Sequence, residues 1–158
     1  MEYFEWLELS PLGDWVATST WGYPILLSCH AIGLALVAGS LAMVDLRVMG
    51  CFPGLEISPL RSLIKLAWVG FIVNLISGFS LFAGQATYFI NHPAFLIKIT
   101  CISLALVSSA RLQSLLKQHA DDWDGGGIVG SNAKILALSS LLLLCAAMIA
   151  GRLIAYIE

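Results

Sequence analysis

Apolar residues in this chain fall into four long blocks, near 24–46, 63–89, 94–116 and 135–157, separated by shorter polar segments. At 1.5 Å per residue each block is long enough to cross a hydrocarbon core of about 30 Å. Only helices and closed barrels satisfy their backbone inside lipid, and blocks of this length predict helices. The expected fold is therefore an all-α membrane protein, an antiparallel bundle of four transmembrane helices forming a single domain over 21–158. Residues 1–20 follow another pattern. Glu2, Glu5 and Glu8 alternate there with Tyr3, Phe4, Trp6, Leu7, Leu9, Leu12 and Trp15. That alternation predicts an amphipathic segment lying in the membrane interface, with Trp15, Trp21 and Tyr23 at headgroup level. Ser10 is placed to cap a short helix whose first residue is Pro11, and Pro24 opens the first span where its missing N–H costs nothing.

Composition strengthens the membrane assignment: 59% of the residues are hydrophobic, 11% are charged, and the mean hydropathy is +0.88. Soluble domains carry about 25% charge. With the spans taking most of the chain, any chemistry must lie among the helices or at their mouths. A net charge of −2 and a pI near 5.8 leave no basic patch, which argues against nucleic acid as a partner. Cys29, Cys51, Cys101 and Cys145 are scattered without a CxxC pair and read as small packing residues. The acidic N-terminus does not have the form of a cleavable signal peptide. Arg47, Arg61 and Lys65 follow the first block, and Arg111, Lys117 and Lys134 surround the third connection. By the positive-inside rule these loops face the cytoplasm, so both termini are expected on the outer, periplasmic side of a bacterial inner membrane.

Polar residues inside the blocks carry the functional signal. In the second block Gly70, Asn74, Ser77, Gly78, Leu81, Gln85 and Tyr88 keep to one helical face, which should look into the bundle while Phe71, Ile72, Phe79 and Phe82 look elsewhere. Counted from the outer ends, His30, Gln85, Lys98 and Arg152 all fall about 7–10 Å deep, one from each span. No Asp or Glu shares that layer, so the balance predicts an anion from outside the chain: a lipid phosphate, a carboxylate substrate, or the propionates of a haem. Neutral imidazole is a common axial ligand of haem iron, and Lys or Arg pairs with propionates. The expected cofactor is haem b, with His30 as iron ligand, Lys98, Arg152 and Gln85 around the porphyrin, and Gly33 leaving room for a flat ring. A second iron ligand is poorly supplied; His92 lies nearer the surface, and His119 belongs to the cytoplasmic loop. On the inner side, Asp45 and Arg111 are expected to form a structural ion pair.

The runs LLSCHAIGLALVAGSLAMVDLRVMG, LISGFSLF and NHPAFLIKITCISLALVSSARLQ resemble the small four-helix membrane domains of the copper-resistance D type and the HemJ-type protoporphyrinogen oxidases, and above all their uncharacterised relatives. The shared features are a histidine followed by small residues in the first span and a lysine early in the third. The resemblance implies that His30 binds haem b and that Lys98 is functional. The function expected is that of a cytochrome b-like electron carrier or quinone-reactive subunit. Two other readings stay open: an accessory subunit without a cofactor inside a larger membrane complex or homo-oligomer, and a transporter for a small anion or metal.

Overall fold

A computed structural model describes residues 2–154 and 156, and among these every regular element is a helix. Two short helices, α1 (Glu2–Glu8) and α2 (Pro11–Thr18), precede α3 (Gly22–Met49) and α4 (Ile57–Ala83). A six-residue helix, α5 (Ala86–Asn91), leads into α6 (Pro93–Asp124) and α7 (Ser131–Leu153). The four long helices are each long and apolar enough to cross a membrane. They pack in a ring: α3 lies against α4, α4 against α6, α6 against α7 and α7 against α3.

The ring is inside-out by soluble standards. Only 17–33% of each apolar stretch is buried, and Ile76, Leu75 and Phe79 on α4 are exposed with more than half their surface free. Buried positions are small or weakly polar: Gly33, Ser40, Gly70, Ser77, Ser80, Ala105, Ser109, Ala137 and Ser140. Lipid gives no hydrophobic drive between helices, so close backbone approach and hydrogen bonds must hold them. The α3–α4 seam closes on glycine. A Cβ placed on Gly33 would stand 2.8 Å from the Asn74 nitrogen and 2.9 Å from the Gly70 oxygen, and one on Gly70 would stand 2.6 Å from Leu36 Cβ. The α6–α7 seam is tied by serines, with Ser109 Oγ 3.0 Å from Ser140 Oγ and Ser139 donating to Ser108 at 3.3 Å. A larger apolar cluster of Val44, Val48, Ile57, Leu60, Leu112 and Leu116 fills the end where α3 stops and α4 begins.

Helix ends follow the local chemistry. Ser10 Oγ accepts from the Gly13 N–H at 3.1 Å, with Pro11 the first residue of α2, as expected. Gly50 ends α3 in the left-handed region at φ 94°, where its N–H bonds the Arg47 carbonyl and Cys51 N–H bonds Leu46. That is the Schellman arrangement, and no side chain crowds Gly50, so its backbone angle is what calls for glycine.

Three boundaries differ from the pattern-based expectation. The second span begins at Ile57 and stops at Ala83; Gly84 and Gln85 break it, and α5 starts afresh. Glu8 of α1 accepts the Thr87 N–H at 2.8 Å and its hydroxyl at 2.7 Å, satisfying a free donor at the start of α5. Helix α6 runs on to Asp124, past the expected end at 116. The expected end of the fourth span at 157 falls partly outside the described residues.

The α6 extension binds the start of α4. Asp124 accepts the Ile57 and Ser58 N–H groups at 2.6 and 2.8 Å, and Asp121 accepts from the Ser58 hydroxyl at 2.8 Å and from Arg61 at 3.1 Å. Asp124 thus caps a helix distant in sequence. Asp124→Ala is expected to lower stability by about 1–2 kcal/mol, while Asp124→Asn, which keeps a capping oxygen, should recover most of the loss. Thermal melts followed by helical circular dichroism in one detergent check both variants.

Candidate functional site

Two of the expected residues, His30 and Lys98, are half-buried among the helices toward the same end of the bundle. His30 lies on the inward side of α3, against α4. Its Nδ1 is 3.1 Å from the Asn74 carbonyl oxygen and 3.3 Å from Ser77 Oγ. A carbonyl only accepts, so Nδ1 carries the proton and donates it, which leaves the Nε2 lone pair free. Asn74 answers with its side chain, donating from Nδ2 to the His30 carbonyl at 2.8 Å. Ser77 is itself anchored, donating to the Val73 carbonyl at 2.7 Å. Gly78 makes room for the ring: a Cβ there would stand 3.0 Å from His30 Cε1.

Lys98 comes from α6 and crosses toward α7. Its Cδ, Cε and Nζ lie 3.5–3.6 Å from where a Gly151 Cβ would be, so glycine at that point lets the lysine lie over the helix. No carboxylate neutralises the ammonium, since among the described residues the one ion pair joins Arg61 to Asp121 at the other end.

The other expected members stand apart. Gln85 is exposed in the break between α4 and α5, where it lines an outer cavity of about 280 Å³ with Ser19, Thr20, Tyr23 and Pro24. Arg152 is exposed at the end of α7. His92 is buried but occupied as a cap, its Nδ1 accepting from the Ala94 N–H at 3.2 Å and its ring 5.4 Å from Tyr88. Gly33 does not open a slot for a flat ring; the backbone of α4 fills its free side.

The fit to a haem is therefore divided. A histidine whose Nδ1–H is held by a backbone carbonyl and whose Nε2 is free has the tautomer an iron ligand needs. Space is lacking inside one chain. Neither the outer cavity nor a smaller one of about 30 Å³ near Gln113 is lined by His30, and α3 and α4 touch backbone to backbone beside it. Among the described residues no group of three or more His, Cys, Asp or Glu side chains could hold a metal ion.

Two features escaped the sequence pattern. The expected Asp45–Arg111 pair is not formed: Asp45 is 1% exposed and faces the bundle, whereas Arg111 faces out. Spacing set both at the inner end, but the helix turn points them in different directions. Phe4, Phe82, Phe89 and Phe95 form an aromatic cluster under α1, so Phe82 packs within the protein; its rings stack on Phe89 at 6.3 Å and on Phe95 at 5.4 Å. The paired serines at 108–109 and 139–140 were the available signal for the polar seam between α6 and α7.

The chain matches no family model, no curated protein and no solved structure.

Proposed function

We propose that this is a multi-pass membrane protein that holds the anionic group of a ligand against Lys98, with His30 beside it. The observation that carries this reading is the Lys98 side chain, half-buried against Gly151 of α7 and without a carboxylate partner among the described residues. An intramembrane cation of this kind is expensive unless a counter-charge arrives. Small phosphates and carboxylates have the matching chemistry, and the reading makes the protein a carrier or receptor for such an anion rather than a soluble enzyme.

The proposed setting is a bacterial inner membrane with the helices antiparallel. Contacts of His30 with Asn74 and Ser77 at one end, and of Ile57 and Ser58 with Asp124 at the other, support helices alternating in direction. Arg47, Arg61, Lys65, Arg111, Lys117 and Lys134 gather toward the second end and favour placing it in the cytoplasm. Helices α1 and α2, with Tyr3, Trp6, Trp15 and Trp21 exposed, then lie in the outer interface.

Purified protein in zwitterionic micelles, titrated with inorganic phosphate or acetate at fixed ionic strength, tests the site. Wild type is expected to gain stability that rises with the logarithm of anion concentration, by about 2.7 kcal/mol at a hundredfold excess over the dissociation constant, and Lys98→Met to gain none. An equal gain in both proteins overturns the reading.

The free Nε2 of His30 favours a second reading, a haem b protein in which His30 is an iron ligand and Lys98 pairs with a propionate, the haem lying at the helix surface or shared with another subunit. Haem would supply one-electron chemistry, and the resemblance to HemJ-type domains points the same way. A reduced-minus-oxidised spectrum with a Soret band that is lost in His30→Ala supports it; no Soret band rejects it and leaves the anion site standing.

A further inference from the structure

Asp45 is the only acidic residue within α3, α4 or α7, and the other acids of α6 cluster at its far end, at 121, 122 and 124. Its side chain is 1% exposed, and its Oδ2 has no hydrogen-bond partner. The Ser140 hydroxyl of α7 lies toward the carboxyl. Ser140, with no exposed surface, is 3.0 Å from Ser109 of α6. Ser109 and Gln113 line the cavity of about 30 Å³ that opens where α3, α4 and α6 meet. About 10–15 Å³ is enough for one water. A line of oxygens thus runs from that cavity through two hydroxyls to a buried carboxyl.

Among the described residues no positive group closes the line at Asp45. On its own helix, Arg47 donates to the Leu55 carbonyl. On α4, Lys65 is exposed and Arg61 is bound to Asp121. Arg111 of α6 and Lys134 of α7 are both exposed. An ionised carboxylate buried without a counter-charge is far costlier than a neutral acid, and such groups take up a proton instead.

We propose that Asp45, with Ser140 and Ser109, is a proton-binding site in the inner half of the bundle, loaded and unloaded from the small cavity. The carboxyl gains one proton, drawn ultimately from water there, and returns it by the same route; no other bond changes. The site is independent of Lys98 and His30, which lie toward the opposite end of the bundle. Intramembrane carboxyls with hydroxyl partners and a water-sized access point serve in proton relays.

Infrared spectroscopy of the whole protein reconstituted in lipid tests this. A protonated-carboxyl C=O band is expected, shifted downward in D₂O, decreasing as pH is raised, and lost in Asp45→Asn. Ser140→Ala, which keeps the carboxyl, should move the band's frequency and its titration midpoint. The proposal is overturned if Asp45→Asn and Ser140→Ala both leave the carboxyl bands unchanged, if the band does not respond to D₂O or pH, or if it responds to sodium at constant pH, which would make the site one for a metal cation.

Discussion

Gly33→Leu is expected to break the seam between α3 and α4 and to destabilise the protein by about 3 kcal/mol or more. The reason lies in what surrounds the missing side chain. The nearest atoms to a Gly33 Cβ are the Asn74 nitrogen at 2.8 Å, the Gly70 oxygen at 2.9 Å and the Asn74 Cα at 3.1 Å, all of them backbone. A flexible side chain could swing aside, but a helix backbone cannot, so the two helices must separate along their length. Overpacking a core costs about 1–3 kcal/mol when side chains can adjust, and more when they cannot. Gly39, six residues on along the same helix, provides the control. Nothing lies within 4 Å of a Cβ built there, and the residue faces out, so Gly39→Leu should stay within about 0.5 kcal/mol of wild type. Denaturation in mixed micelles of mild detergent and dodecyl sulfate, followed by circular dichroism, measures both. If Gly33→Leu were as stable as Gly39→Leu, the close contact of α3 with α4 would be excluded.

The same contrast shows how much of the fold was readable in the amino-acid order. The long apolar helices were legible because span length and composition are fixed by lipid, not by tertiary partners. The end of α4 was not, because the apolar run continues through Ala86–Ile90 while the backbone breaks at Gly84 and Gln85. Two distant residues account for that break. Val16 packs onto Gly84, with its Cγ1 2.8 Å from where a Cβ would be, and the Glu8 carboxylate holds the Thr87 N–H. Neither partner can be seen from the local pattern. The polar stretch 117–124 has the look of a loop, yet it is helical, and the carboxylates of Asp121 and Asp124 fasten it to the start of α4.

For the site, counting residues from the membrane surface gave depth, and depth alone places a residue at a level without saying which way it faces. His30 and Lys98 share a level and also an interior direction. Gln85 and Arg152 face outward, the first because the helix has ended and the second because α7 turns it away. Asp45 shows the converse error. It was matched to Arg111 on level and opposite charge, whereas its direction leads to the hydroxyl of Ser140. In a bundle whose interior is glycine, alanine and serine, hydroxyl positions reveal direction better than charge does, because each buried hydroxyl must meet another polar atom.

His30→Ala is expected to cost about 2 kcal/mol, the second large effect, and the loss should depend strongly on Asn74. The two residues exchange hydrogen bonds across the seam: His30 Nδ1 donates to the Asn74 backbone carbonyl, and Asn74 Nδ2 donates to the His30 carbonyl at 2.8 Å. Both carbonyls also belong to helices, so neither is orphaned by losing the side-chain donor, and each bond should be worth about 0.6–1.7 kcal/mol, the range for such bonds between membrane helices. Removing the imidazole adds the loss of its contacts over Gly78, where a Cβ would come within 3.0–3.2 Å of the ring. Asn74→Ala, which keeps the accepting carbonyl, should cost less, about 1 kcal/mol. The double mutant should show a coupling of about 0.5 kcal/mol or more, because without the ring the seam can relax around position 74. Unfolding in mixed micelles gives the four stabilities. Strict additivity would mean that the two bonds form independently, and that His30 is not held in place by the pair. A coupled result fixes the ring's orientation by α4, and with it the direction of the free Nε2 on which any ligand role of His30 depends.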